Sequence, residues 1–180
     1  MSCNNRIKHA LCGVFLLGFT LPVHAQTLAQ KVTLPPQEQP RISSDSEDTG
    51  MISLPSPFSV KTTSARLLSI LQKEKFRVFA DIDHQGNANS VKLALRPTRL
   101  IIFGNPNVGT QLMHENQTLG IDLPMKFLVW EAIDHRVYIS WNNPYYLAKR
   151  HGISPKLTLL SKISKKLYEI AEAASHSPKK

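Results

Sequence analysis

Residues 126–131 and 136–141 are two β-rich runs with only Ala132-Ile133-Asp134-His135 between them. So short a link joins neighbouring antiparallel strands, because a parallel pair needs a crossover of a dozen residues or more. Whatever precedes this hairpin has to fit the antiparallel sheet that it starts. Residues 51–60 are extended but carry Pro55 and Pro57, as suits a first or edge strand. Thr63 is placed to cap a helix through Ala65, Leu68 and Leu71, widened by Leu67 and Ile70. In 76–82, Phe76, Val78, Ala80 and Ile82 alternate with Arg77 and Asp81, the period of a strand. A turn is expected at 83–86 and a short helix at 89–95, ended by Pro97. Residues 99–104 are nearly all apolar, which predicts a strand covered on both faces. Gly104-Asn105-Pro106 breaks it, and a short helix carries Leu112 and Met113. Residues 145–150 give one helical turn or two. Ser154 followed by Pro155 predicts a helix start. Beyond it Leu157, Leu160, Ile163, Leu167, Ile170 and Ala174 recur every three or four residues as one apolar face. The expectation is an α+β fold over 51–174, an antiparallel sheet packed against helices on one face.

The ends read differently. Arg6, Lys8 and His9 precede an apolar stretch, 10–21, and Val23-His24-Ala25 puts small residues where a signal peptidase would cut. The apolar run is too short to span a bilayer, which takes about 20 residues. Residues 1–25 are therefore expected to be a cleavable signal peptide, placing the mature chain in the periplasm or outside the cell, with no stable membrane anchor. Both cysteines, Cys3 and Cys12, would leave with it, so neither a disulfide nor a thiolate ligand would remain. The net charge of +9 would fall to +7 with the loss of Arg6 and Lys8. Residues 26–50 are rich in proline, glutamine and acidic or hydroxyl side chains without apolar periodicity, as in a flexible polar linker. Residues 175–180 are expected to be a disordered tail.

Between Pro57 and Ile153 several stretches occur together and in order. They are Phe79-Ala80-Asp81-Ile82-Asp83-His84, then 95–106 from Leu95-Arg96-Pro97 to Gly104-Asn105-Pro106, and Gly109-Thr110-Gln111-Leu112-Met113. Gly120-Ile121-Asp122-Leu123-Pro124, Val129-Trp130-Glu131 and Tyr145-Tyr146-Leu147-Ala148-Lys149-Arg150-His151-Gly152 follow. On these the chain resembles the DUF 302 family, a domain of unknown function. The resemblance implies a sheet gripped by helices, similar to TATA-binding-protein-like folds. It implies no activity, and likeness to a DNA binder would be analogy alone.

Chemistry-bearing residues are few. Asp83 and His84 follow a strand, where a carboxylate beside an imidazole could serve acid–base work. Adjacent extended residues point opposite ways, however, and a local turn bond by Asp83 is the plainer account. Gly104-Asn105-Pro106 could expose amides to an anion, but no Gly-Lys-Ser/Thr ending follows. His84, His114, His151 and Met113 are sensible copper ligands by type, without the spacing of a metal motif, so no metal ligand is assigned. No nucleophile elbow and no His-Glu-x-x-His occurs. Lys149, Arg150, Lys156, Lys162, Lys165 and Lys166 gather near the last helix, as a solvated face or a patch for anionic surfaces.

The leading expectation is a non-enzymatic module that binds a small molecule or a metal ion, with Asp83, His84, Asn105, Met113 and His151 lining its site. Its rivals are an enzyme using Asp83 or His84 as a general base, and an interaction protein binding anionic surfaces through the basic last helix. Nothing names a cofactor. An exported chain is not expected to meet nucleic acid, and its edge strands allow a homodimer.

Overall fold

A computed structural model describes residues 50–176. The chain divides into Met1–Gln37 and Glu38–Lys180, and every described residue belongs to the second. The expected signal peptide 1–25, the linker up to residue 49 and the tail from 177 lie outside the described residues.

Five strands form one antiparallel sheet: β1 (Met51–Ser56), β2 (Arg77–Asp83), β3 (Thr98–Gly104), β4 (Met125–Glu131) and β5 (Val137–Asn142). Their order across the sheet is β1-β5-β4-β3-β2. The hairpin runs from Leu128 opposite Ser140 to Glu131 opposite Val137. β1 returns to pair with β5, so Pro55 lies on an edge where its missing N–H costs no ladder bond. Helices α1 (Val60–Lys73) and α5 (Thr158–Ser175) cover one face. The shorter α2 (His84–Ser90), α3 (Pro106–Glu115) and α4 (Pro144–Arg150), with a 3₁₀ turn at Gln117–Ile121, occupy the connections.

The covered face carries Ile101 and Phe103 from β3, Phe127 and Val129 from β4, and Ile139 and Trp141 from β5. Leu67 and Leu71 of α1 and Leu167, Ile170 and Ala171 of α5 pack onto it. An aromatic row crosses the strands. Phe76 meets Phe103 edge-on at 5.6 Å, Phe103 stacks on Phe127 at 4.8 Å, and Phe127 meets Trp141 at 5.7 Å. Each such pair adds about 0.5–1.5 kcal/mol beyond burial. A second apolar cluster joins Leu112, Leu119, Leu147, Ala148, Ile153 and Leu160 from α3, the 3₁₀ turn, α4, the link after it and α5.

The α+β expectation holds, with five local corrections. Ser59, not Thr63, caps α1, accepting from Thr62 N; Thr63 is buried and bonded to Ser56 Oγ at 2.8 Å. Asp83 ends β2 and caps α2 at once, so helix replaces the turn at 83–86, and 91–95 is not helical. β3 is not covered on both faces: Ile101 and Phe103 are buried, Leu100 and Ile102 only half so. The alternation of β2 breaks at a β-bulge, where Val78 faces Phe103 and Ala80 already faces Ile102, leaving Phe79 extra. Finally, α5 starts at Thr158 without a side-chain cap, and Ser154 accepts from Lys156 N in a turn before it. At the boundaries, Gly50 is already part of the fold, accepting from Asn143 N, and Ser175 is buried as the last residue of α5.

Candidate functional site

Two of the five residues picked from the sequence line one cavity, and three do not join them. Asp83 Oδ1 accepts the Gly86 N–H at 2.8 Å, which is the work of a helix cap. His84 begins α2, and its side chain makes no hydrogen bond among the described residues. His151, at the end of α4, is taken up by its neighbours: Nε2 bonds Asp122 Oδ2 at 2.6 Å and Nδ1 bonds Thr118 Oγ1 at 2.8 Å. His114 lies on α3. Among the described residues no three His, Cys, Asp or Glu side chains are grouped to hold a metal ion.

Asn105 and Met113 share the wall of a cavity of about 540 Å³. Three connections build it. Gly104 ends β3, and an added Cβ there would sit 3.6 Å from the Phe79 ring and 3.5 Å from Pro124. The bulge in β2 brings Phe79, 45% exposed, to the edge of the cavity, with the Arg77 guanidinium 4.9 Å from its ring centre. Then α3 supplies Val108, Gly109, Leu112 and Met113, and the segment before β4 supplies Leu123 and Pro124. The far wall is α5, through Leu159, Lys162, Ile163, Lys166 and Leu167. These recur at the three- and four-residue steps of one helix face.

The wall is almost wholly apolar, and Lys162 and Lys166 are its only charged residues. Lys166 reaches Glu74 and Glu169, each at 3.4 Å; the bond to Glu74, then that to Glu169, holds its pKa above the ordinary lysine value. The Lys162 side chain makes no hydrogen bond or ion pair among the described residues. The amides at the start of α3 are closed: Asn107 N is taken by Asn105 Oδ1, and Val108 N and Gly109 N by Asn105 O. Asn105 therefore acts as a cap and leaves no anion nest.

Other charges tie the structure together. Arg99 grips Asp81 with two bonds, 2.6 and 2.8 Å, diagonally across β2 and β3. That bond, with the charge of Asp83 behind it, raises the guanidinium pKa against the opposing effect of burial. Arg150 pairs with Asp122 at 3.2 Å, and Lys165 lies 3.9 Å from Glu169, so much of the basic cluster of the sequence is already neutralised. No helix among the described residues is long and apolar enough to cross a membrane.

What the sequence reading missed are the walls: Phe79, Leu123, Leu159, Lys162 and Ile163. A signal was present in α5, where lysines stand at 162 and 166 inside a stripe otherwise apolar at 159, 163 and 167.

A family model described as "Domain of unknown function DUF302" matches residues 52–174. A solved crystal structure of an uncharacterised conserved DUF302 protein from Bacillus stearothermophilus superposes with a TM-score of 0.62 at 20% identity. That match covers 69% of this chain and 98% of the other, and it establishes the fold alone. Among curated proteins, "Fluoride-specific ion channel FluC 1" of Brucella suis biovar 1 (strain 1330) is 40% identical over 106 residues, 59% of this chain and 42% of its own length. The like-named protein of Brucella abortus biovar 1 (strain 9-941) matches at 40% over 106 residues, covering 59% and 39%. The chain thus spans about two fifths of the length of these curated relatives.

Proposed function

The chain belongs to the DUF302 family, and from that premise we propose that its domain is a non-catalytic small-ligand-binding module whose ligand lies in the 540 Å³ cavity. The cavity itself carries the reading. Small-molecule sites are clefts or cavities with mostly apolar walls and a few polar groups, and this half-open hollow has such a lining. An apolar hollow of this size falls in the range of small-molecule sites. Stretches on which the family resemblance rests, 104–106, 109–113 and 120–124, all contribute to its wall. Acid–base chemistry at Asp83 and His84 has no such support, since neither residue touches the cavity.

Gly109 provides the test. A Cβ added there would sit 3.7 Å from Leu123 Cδ1, an ordinary contact, and the rest of a leucine side chain would enter the hollow. Titration with the neutral fluorophore N-phenyl-1-naphthylamine should show saturable binding to the protein. Gly109→Leu should weaken it more than tenfold without lowering Tm, because replacing a helical glycine favours the helix. Undiminished binding by that variant would remove the cavity as the site. We also place the module outside the cytoplasm, on the signal-like residues 1–25; a mature N-terminus at Gln26 is the expected readout.

A second reading is favoured by the curated relatives, in which the matching segment is part of chains named fluoride-specific ion channels. The domain would then act beside such a channel, and co-purification with one from the same cell would test it.

A further inference from the structure

We infer that the ligand is an anionic amphiphile, an apolar tail with a single carboxylate-like head, seated with its tail in the cavity and its head on Lys162. This rests on the cavity reading above and adds the chemistry of the occupant.

Three observations point to it. First, the wall offers carbon almost everywhere, and buried polar groups without partners are costly. A sugar, a nucleotide or a peptide backbone would lose its water there and gain little in return. An alkyl or similar tail gains with every methylene that it buries. Second, both charged residues on the wall are cations, and no carboxylate lies among the lining residues. The two lysines differ. Lys166 is held by Glu74 and Glu169, whereas Lys162, exposed and one helical turn earlier on the same face, has no anion of its own among the described residues. Its aliphatic stem can follow the apolar wall while its ammonium stays at the edge. Third, the competing place for a head group is shut. The first amides of α3 are bonded to Asn105, which leaves Lys162, of the two cations on the wall, to meet the charge.

The probes are decanoate, decanol and decyltrimethylammonium, which share a tail and differ in the charge of the head. Binding to the full protein is read by calorimetry, below the aggregation threshold of each. Decanoate should bind tightest and the trimethylammonium compound weakest. Octanoate should bind roughly fifteenfold more weakly than decanoate, the fold-change that two methylenes at about 0.8 kcal/mol each produce. Lys162→Met should weaken decanoate about fivefold, the reach of a partly exposed ion pair, and leave decanol unchanged. Raising salt should weaken decanoate and not decanol.

Equal affinity for all three probes, or a Lys162→Met protein that holds decanoate as well as the parent, overturns the anionic head while decanol binding keeps the cavity reading intact. Binding of none of them, with the cavity closed by a second copy of the chain, overturns both. Binding to phosphatidylglycerol vesicles but not to monomeric decanoate overturns the assignment to a free amphiphile and moves the source of the anion to a membrane surface.

Discussion

His151 illustrates how a residue that looks chemical in the sequence is committed by its surroundings. Its ring nitrogens meet Asp122 and Thr118, its backbone carbonyl accepts from Asn116 Nδ2 at 2.7 Å, and its side chain is only 7% exposed. The ring ties the end of α4 to the 3₁₀ turn and the strap before β4. Replacing it with alanine leaves the Asp122 carboxylate, 13% exposed, with Arg150 alone. His151→Ala should therefore cost roughly 2–3 kcal/mol, the loss of a bond to a charged group plus the desolvation left behind, seen as a lower urea midpoint. A drop under about 0.5 kcal/mol would show the cluster to be idle. These partners lie 29 and 33 residues from His151 in the chain, which is why its type was legible and its role was not. Lys126 makes a second case. Its ammonium donates to the carbonyls of Asp122 and Pro124 at 2.7 and 2.9 Å, and burial lowers its pKa while the charge of Asp122 works the other way. A lysine whose folded pKa lies below its unfolded value binds its proton more weakly in the native state. Its contribution to stability therefore rises with pH, from the folded value up to the ordinary lysine value, and is complete above it. The stability of the parent relative to Lys126→Met should accordingly increase across the alkaline range. A flat difference between the two proteins would contradict the burial argument.

At the scale of elements, three helices end by one mechanism with different residues. After α1, Phe76 N bonds Leu71 O at 2.9 Å and Lys75 N bonds Gln72 O at 3.0 Å. After α2, Leu93 N and Lys92 N close onto Ala88 O and Asn89 O at 2.9 and 3.0 Å. After α4, Ile153 N and Gly152 N close onto Ala148 O and Lys149 O at 2.8 and 3.2 Å. Each is a Schellman motif, which needs a left-handed residue at the position after the cap. Gly152 (φ 65°) takes it freely, while Lys75 (φ 60°) and Lys92 (φ 61°) take it at a cost of about 1–2 kcal/mol each. Lys75→Gly and Lys92→Gly should therefore each raise stability by about 1 kcal/mol. Gly152→Ala should lower it by a similar amount, although a Cβ there meets nothing within 4 Å. Denaturant midpoints of the three variants check this, and a stabilised Gly152→Ala would refute the backbone account. Glycine at 152 was readable as a stop signal. The two lysines were not, because lysine has no preference for a left-handed backbone; at the first stop the next residue, Phe76, packs against Phe103. The bulge at Phe79 was nearly silent: Phe79 is an apolar residue in the register that Arg77 and Asp81 otherwise hold, and only pairing with β3 shows it to be the extra residue.

At the scale of the whole molecule, the domain has two apolar clusters, with Met125 and Ile163 packed against both. Those same two residues line the cavity, so the hollow lies where the main core and the α3–α4–α5 core meet. Each cluster is closed by its own elements, and the join is where a ligand can complete the packing. The hairpin, the edge character of β1 and the apolar faces of α1 and α5 were written in the sequence. Each follows from short-range periodicity and from which residues a strand or helix tolerates, so α+β architecture needed no coordinates. Asn105 and Met113, two residues picked from the sequence, both lie on the cavity wall, the first as the cap of α3 and the second near the end of that helix. The cavity could not be read in that way. Its walls come from β2, α3, the segment before β4 and α5, stretches separated by tens of residues, and each apolar side chain among them looks like ordinary core. Whether Leu123, Ile163 and Phe79 fill the interior or leave a hollow depends on how far α3 and α5 stand from the sheet. That distance is set by the packing of all the elements at once, and no local pattern in the chain encodes it.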